Sequence, residues 1–371
     1  MLKGHSYFSA METLKNFSRE LHSTHDASIF TILKSYKKGF FIQTSVLKSK
    51  MKGKGYFIPE VKYFQLHPIN KRYSSWIDDK VSLRYTLAPF KEFLPDYYYL
   101  IEKKKIYVLP DHPVKGDVSL KGILRLLKDK KVLACKPISS TEGTGFEKLE
   151  FNGVNYLINN KIISEGHLIE HLKNLPKHCI SEYVVSSDQL KKINPLSTST
   201  VRLVTLRQDN KTHVVAAFLT FGTKASGSVD NIDKGGVSVA VDVKTGQILP
   251  KALSIDKDKD IYVPIMEHPD SKEKFEGQLE AWPRMIKAME DIGDYLPQLT
   301  YMGCDVAITN EGFKIIEINS LQEFINLETY FDVPVNKMYK EFFNRLFADL
   351  DKKKKEHKLQ KLVKTIKKYK K

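Results

Sequence analysis

A chain of 371 residues is long enough for roughly two to three domains, and its 42% hydrophobic and 11% aromatic residues can bury sizeable cores. That composition excludes a disordered chain, a collagen and a disulfide-stapled miniprotein. Of the net charge of +16, the segment 352–371 carries +10 through eleven lysines and one glutamate. The body is therefore only mildly basic, which speaks against a nucleic-acid partner. Cys135, Cys179 and Cys304 are widely spaced and offer neither a zinc ribbon nor a disulfide framework. With no apolar leader and no run approaching the ~18 residues of a membrane span, the expectation is a cytoplasmic protein.

Residues 1–75 mix short helical and extended patterns and carry no assignable chemistry. KVLACKP (131–137) reads as a buried strand ended by Pro137. In 148–159, Asn152-Gly153 between two extended segments signals a hairpin. The stretch 164–176 reads as a helix capped by Ser164 and stopped by Pro176, and CISEYV (179–184) as another buried strand. A longer hairpin is expected over 201–222. Val237, Val239, Val241 and Val243 then alternate at period two before a turn at Thr245-Gly246. Helices follow from Pro283, with Met285, Ile286, Met289 and Ile292 on one face, and over about 335–349. Antiparallel hairpins with interspersed helices predict an α+β fold rather than a parallel nucleotide-binding sheet.

The chemistry concentrates in YMGCDVAITNEGFKIIEINS (301–320). A three-residue loop Asn310-Glu311-Gly312 would pair Thr309 with Phe313 and set Asp305 opposite Glu317, with Asn319 on the same face. Two facing carboxylates repel, and a divalent cation resolves the conflict; carboxylates plus an amide oxygen suit Mg²⁺ or Mn²⁺. The alternative is a hairpin with its acids on a wet face, against which the flanking isoleucines and valine alternate. In CKPISSTEGTGF (135–146), Lys136 precedes a loop in which Gly143 and Gly145 let backbone N–H groups approach a phosphate. Alone this signal is weak, because Gly-rich hairpin loops are common and a bland turn is the better reading of the segment by itself. HLIEH (167–171) matches a zinc-protease pattern, but no third ligand stands at a recognisable spacing.

Taken in order, these segments resemble the ATP-grasp superfamily, and within it the sugar-transfer-associated branch, over about residues 76–345. In DDKVSLRYTLAPFKEFLPDYY, Lys80 resembles the first nucleotide-contacting lysine, and Lys136 resembles the second. ISEYV is similar to the hinge that reads adenine through backbone groups at Glu182, Tyr183 and Val184, with Asp188 as a ribose acceptor. NPLSTSTVRLVTL carries Arg202, which the resemblance directs at the terminal phosphate or an acyl-phosphate. VDNIDKGGVSVAVD, with Asn231, is similar to a family signature and implies a catalytic role. GCDVAI and EIN supply the matching metal residues Asp305, Glu317 and Asn319. The loop TEGTG departs from the double glycine of the branch, and residues 1–75 and 350–371 show no clear match.

The resemblance implies two α+β subdomains clamping ATP, with an extra N-terminal region. The expected organisation is a region of unknown role over 1–75, an ATP-grasp domain over 76–349, and a lysine-rich tail over 350–371. Within the domain, a smaller nucleotide-clamping part spans about 130–185 and a larger metal-binding sheet about 186–349. The implied activity is ATP- and Mg²⁺-dependent joining of a carboxylate to an amine through an acyl-phosphate, shielded by a loop such as 139–145. One substrate would be a sugar or amino acid in surface polysaccharide biosynthesis. The alternatives are a kinase acting on a hydroxyl and a non-catalytic ATP-binding scaffold at the membrane. In the tail, Leu359, Leu362, Val363, Ile366 and Tyr369 recur at helical spacing among lysines. This is the pattern of a segment that lies on anionic lipid at the inner face of a membrane, or equally of a solvated basic tail.

Overall fold

The computed structural model describes residues 11, 13–20, 28–52, 54–114, 116–139, 144–227, 229–256, 261–322, 326, 329, 331 and 333–369. The chain divides into two compact units. One comprises Met1–Lys71, Asp256–Tyr262 and Leu321–Lys371, and the other Arg72–Ile255 and Val263–Ser320.

The first unit is helical. Helices Ile29–Lys37, Ile42–Lys50 and Glu60–Leu66 join the long helix Lys337–Tyr369, and Ile42, Ile58, Tyr63 and Phe343 are fully buried. The carboxyl of Glu60 is buried among them. It accepts hydrogen bonds from the Thr44 hydroxyl, from Phe41 N–H at 3.2 Å and from the Asn326 amide at 3.2 Å. The helix expected over 335–349 does not stop there but continues through the lysine-rich segment to Tyr369. Lys352–Lys355 and Lys358 are exposed on it. Among the described residues, no helix is long and apolar enough to cross a membrane.

The second unit holds two seven-stranded sheets, whose registered pairs are antiparallel, and is α+β as expected. The first sheet has strands β1 (Tyr97–Glu102), β2 (Lys105–Val108), β3 (Val132–Pro137), β4 (Glu147–Phe151), β5 (Tyr156–Ile158), β6 (Lys161–Ile163) and β7 (His178–Glu182), in the order β2-β1-β7-β3-β4-β5-β6. One face packs on helices Leu120–Lys130 and Glu165–Asn174 through Leu127, Leu133, Cys135, Leu168 and Ile180. The helix over 165–174 starts where its sequence says it should, with the Ser164 hydroxyl accepting His167 N–H at 3.2 Å.

The second sheet contains β8 (Thr200–Gln208), β9 (Lys211–Phe221), β10 (Val237–Val241), β11 (Ile248–Asp256), β12 (Ile261–Ile265), β13 (Tyr301–Thr309) and β14 (Gly312–Asn319), ordered β12-β11-β10-β9-β8-β13-β14. Helix Trp282–Tyr295 packs its Met285, Met289 and Ile292 into the core with Val201, Leu203, Cys304 and Val306. On β10 all five residues are buried, so the valine alternation does not separate a wet face from a dry one.

The β13–β14 register corrects one step of the sequence reading while keeping its result. Thr309 pairs with Gly312, not Phe313, because the loop has two residues, Asn310 and Glu311. Regular alternation along β14 would put Glu317 on the same face as Phe313 and Ile315, which are buried core residues. A bulge between Val306 and Asp305 shifts the register by one and sets Asp305 opposite Glu317. Ile318 then takes the core position, and Glu317 and Asn319 turn to the other face. Burying an uncompensated carboxylate among isoleucines costs several kcal/mol, which a bulge avoids.

Candidate active site

On the face of the second sheet opposite its core, β8 presents Arg202 directly beside Asp305 of β13, which lies across from Glu317 of β14. Arg202 holds Asp305 through both Nε and Nη2, the latter at 2.8 Å. Lys80 reaches Glu317 at 3.1 Å. The Asn319 amide bridges the two carboxylates, at 3.0 Å from Glu317 and 3.3 Å from Asp305. All of these side chains are largely buried. The expectation that the carboxylates need an added cation to coexist is thereby corrected: two cations of the chain itself neutralise them.

Lys80 opens the helix Lys80–Thr86, capped by Asp79, whose carboxylate accepts Ser82 N–H at 2.7 Å. The preceding Asp78 accepts Ser320 N–H at 2.9 Å and the Ser320 hydroxyl at 2.7 Å, which pins the chain just after Asn319. Sequence reasoning missed Asp78; the doubled aspartate before the lysine was its only signal. Lys80 N–H donates to Ile138 C=O at 2.9 Å, so the end of β3 is tied to this helix. Lys136 therefore lies within electrostatic reach of Lys80 and Glu317.

Lys136 is 6% exposed. Among the described residues its ammonium has no carboxylate within ion-pair distance, and it lies 5.7 Å from the centre of the Tyr97 ring. Burial pushes its pKa down. For Glu317, burial acts upward, but the Lys80 ammonium and the Asn319 hydrogen bond prevail and hold it low. Burial pushes Asp305 up against the pull of Arg202, and the charge of Glu317 adds to the rise. Asp78 is also raised, by burial first, with its Ser320 bonds opposing.

The other expected residues fall elsewhere. At the hinge, Glu182 N–H is committed to Asp96 C=O at 2.8 Å, and Val184 C=O accepts the Thr198 hydroxyl at 2.6 Å. Among the described residues Tyr183 and Val184 N–H make no hydrogen bond, which leaves donors on this edge. Asp188 is exposed at the hairpin tip. It exchanges hydrogen bonds with Asn310 at 2.8 and 3.1 Å and pairs with Lys191 at 3.2 Å. Asn310 is five residues from Asp305 along β13, about 16 Å at ~3.3 Å per residue. The side-chain oxygen of Asn231 caps a single 3₁₀ turn, accepting Asp233 N–H at 2.7 Å and Lys234 N–H at 3.3 Å. Gly145 has φ +76° with Pro137 close behind it, a conformation and a space that favour glycine. Gly143 lies outside the described residues.

The donor set Asp305, Glu317 and Asn319 fits a hard divalent cation. Its oxygens converge on one face, and Asn319 already touches both carboxylates, so a flip of its amide would aim an oxygen at the same point. Lys80 and Arg202 now stand on these carboxylates, so a metal held here would share the carboxylates with them or take their place. In HLIEH, His171 bonds Glu147 at 2.8 Å, and no group of three zinc-type ligands occurs among the described residues.

The profile of a family described as sugar-transfer associated ATP-grasp matches residues 65–329. No curated protein matches the chain. Among solved structures, D-alanine–D-alanine ligase from Bacillus anthracis aligns at 13% identity over 66% of this chain and 57% of that one, with a TM-score of 0.34. An L-amino acid ligase from Bacillus licheniformis aligns at 10% identity over 76% and 48%, with a TM-score of 0.37. D-alanyl-alanine synthetase A from Vibrio cholerae O1 biovar eltor aligns at 9% identity over 74% and 65%, with a TM-score of 0.42. The chain thus spans about half to two thirds of the length of these structures.

Proposed function

Since the chain belongs to the sugar-transfer associated ATP-grasp family, we propose that it is an ATP-dependent ligase joining a carboxylate to an amine. The supporting observation is the concentration of buried charge at one place: Lys80 and Arg202 on the carboxylates Glu317 and Asp305, beside Lys136, a buried ammonium with no carboxylate of its own. A folded protein keeps such an ammonium where an anion is to bind, because burying it unpaired is costly.

In this reading Lys136 and Lys80 take phosphate oxygens of ATP, and the hinge from Glu182 to Val184 takes the adenine edge. Arg202 turns its planar fork from Asp305 to two oxygens of the transferred phosphoryl group. A substrate carboxylate oxygen attacks the γ-phosphorus, ADP leaves, and an acyl-phosphate forms. An amine then attacks the acyl carbon, expels inorganic phosphate and loses a proton. Two anions must meet in the first step, so fixed positive charge at Arg202, Lys80 and Lys136 lowers its barrier. Mg²⁺ or Mn²⁺ held by Asp305, Glu317 and Asn319 would add charge neutralisation on the phosphates. The family description favours a sugar-linked substrate, with an amino acid as the other partner. The lysines from residue 352 onward would attach the enzyme to an anionic surface; sedimentation with anionic vesicles at physiological salt tests this, and protein left in the supernatant refutes it.

The deciding experiment is mass spectrometry of reactions containing ATP, Mg²⁺ and pools of uronic acids and amino acids. A ligase sustains ADP release beyond one equivalent per enzyme only when both carboxylate and amine are present, and yields an amide. ADP release without amine, together with a phosphorylated sugar, would establish the kinase reading instead.

A further inference from the structure

Tyr97 is fully buried, yet among the described residues its hydroxyl has no hydrogen-bond partner. Its position is the product of a local irregularity. Along β1, Tyr97 pairs with Ser181 and Tyr99 with Ile180, so the register slips between them. In a regular strand Tyr97 and Tyr99 would share a face. The slip leaves Tyr98 and Tyr99 in the core under helices Leu120–Lys130 and Glu165–Asn174. Tyr97 instead packs with Cys179 and Ile138, where the Lys136 ammonium lies 5.7 Å from its ring. Cys179 stands directly across from Lys136 in the β3–β7 register. Bulges commonly re-aim a side chain next to a functional site, and the bulge at Asp305 does the same for Glu317 in the other sheet.

The Tyr97 hydroxyl is thus a buried donor without an acceptor, and the Lys136 ammonium, which has no carboxylate partner among the described residues, lies 5.7 Å from the same ring. An unmade hydrogen bond of this kind is a standing cost to the fold. An acceptor-rich, anionic ligand satisfies both. Building on the nucleotide-binding role given to Lys136, we propose that the Tyr97 hydroxyl donates a hydrogen bond to a phosphate oxygen of the bound nucleoside triphosphate. Tyr99 is the internal contrast: its hydroxyl is already bonded to His112 at 2.6 Å, away from this cluster.

Calorimetric titration of the full chain with AMPPNP and Mg²⁺, alongside melting of the ligand-free protein, tests the proposal. Tyr97→Phe should bind AMPPNP roughly ten- to a hundredfold more weakly, the range for a hydrogen bond to a charged group. Its ligand-free melting temperature should hold or rise. Tyr99→Phe should show the reverse: a lower ligand-free melting temperature with AMPPNP affinity unchanged. Equal affinity of Tyr97→Phe and the unsubstituted protein overturns the proposal. So does a lower ligand-free melting temperature of Tyr97→Phe, which would mean that the hydroxyl is already bonded in the folded chain. If the unsubstituted protein itself fails to bind AMPPNP, the nucleotide reading falls with it.

Discussion

Replacing Glu317 by glutamine separates two accounts of how the paired carboxylates coexist. From the sequence, Asp305 and Glu317 face each other uncompensated, so removing one charge should relieve repulsion and hold or raise the melting temperature of the metal-free protein. The structure reverses that sign, because Lys80 lies 3.1 Å from Glu317 with side-chain exposures of 6% and 20%. Unit charges at that separation attract by ~5 kcal/mol at an effective dielectric constant near 20. Removing one partner of a buried pair costs about 3–5 kcal/mol, since the other charge is left buried. Glutamine keeps an acceptor for the Asn319 amide, so the lower end, ~3 kcal/mol, applies. At ~2–4 °C per kcal/mol for a unit of this size, the melting temperature of Glu317→Gln should fall by ~6–12 °C. Adding Lys80→Met should restore part of that loss, because the ammonium that faced the carboxylate is then gone as well, while ADP release stays abolished in both variants. Differential scanning calorimetry without divalent cation, paired with an ADP-release assay, reads both effects. An unchanged or raised melting temperature in the single variant would show that the ion pair is not what neutralises Glu317.

Lys136→Met should weaken AMPPNP binding roughly ten- to a hundredfold and leave ligand-free stability equal or higher, as an unpaired buried charge is removed; undiminished affinity would place the lysine outside the nucleotide site. Glu60 supplies a pH dependence in the helical unit, because burial pushes its carboxyl from 4.5 up to about 7. The folded chain keeps a proton that the unfolded chain has released over that window, so stability is fullest below pH 4.5 and declines as pH rises through 7, by about 3 kcal/mol. Urea midpoints at pH 5 and pH 8 measure it, and Glu60→Gln should flatten the difference; an unaltered pH profile in that variant would assign the dependence to other groups. Gly145→Ala should destabilise by about 1–3 kcal/mol, from the positive φ together with a Cβ placed 2.8 Å from Pro137 Cγ; an unaffected urea midpoint would count against that conformation.

Much of the local structure was legible in the sequence because it is set by neighbours along the chain. Ser164 caps its helix, Asn152-Gly153 turns its hairpin, and the apolar runs of β3 and β7 are buried on both sides of their sheet. The opposition of Asp305 and Glu317 was also legible, but through a three-residue loop that the chain does not make. The real two-residue loop and the bulge after Asp305 shift the register in ways that cancel. Periodicity counts residues and cannot see a bulge, which appears where packing forbids the regular phase; here the core takes Ile318 and rejects Glu317. The partners of the charged groups were likewise beyond reach. Lys80 meets Glu317, Arg202 meets Asp305, and Asp78 meets Ser320 across separations of one hundred residues or more. Which charge faces which depends on how the sheet and the helix at Lys80 come together. The residues that can carry the chemistry were written in the sequence, whereas tertiary packing decided that Lys80 and Arg202 would neutralise the carboxylates and that Lys136 and Tyr97 would be buried with donors to spare.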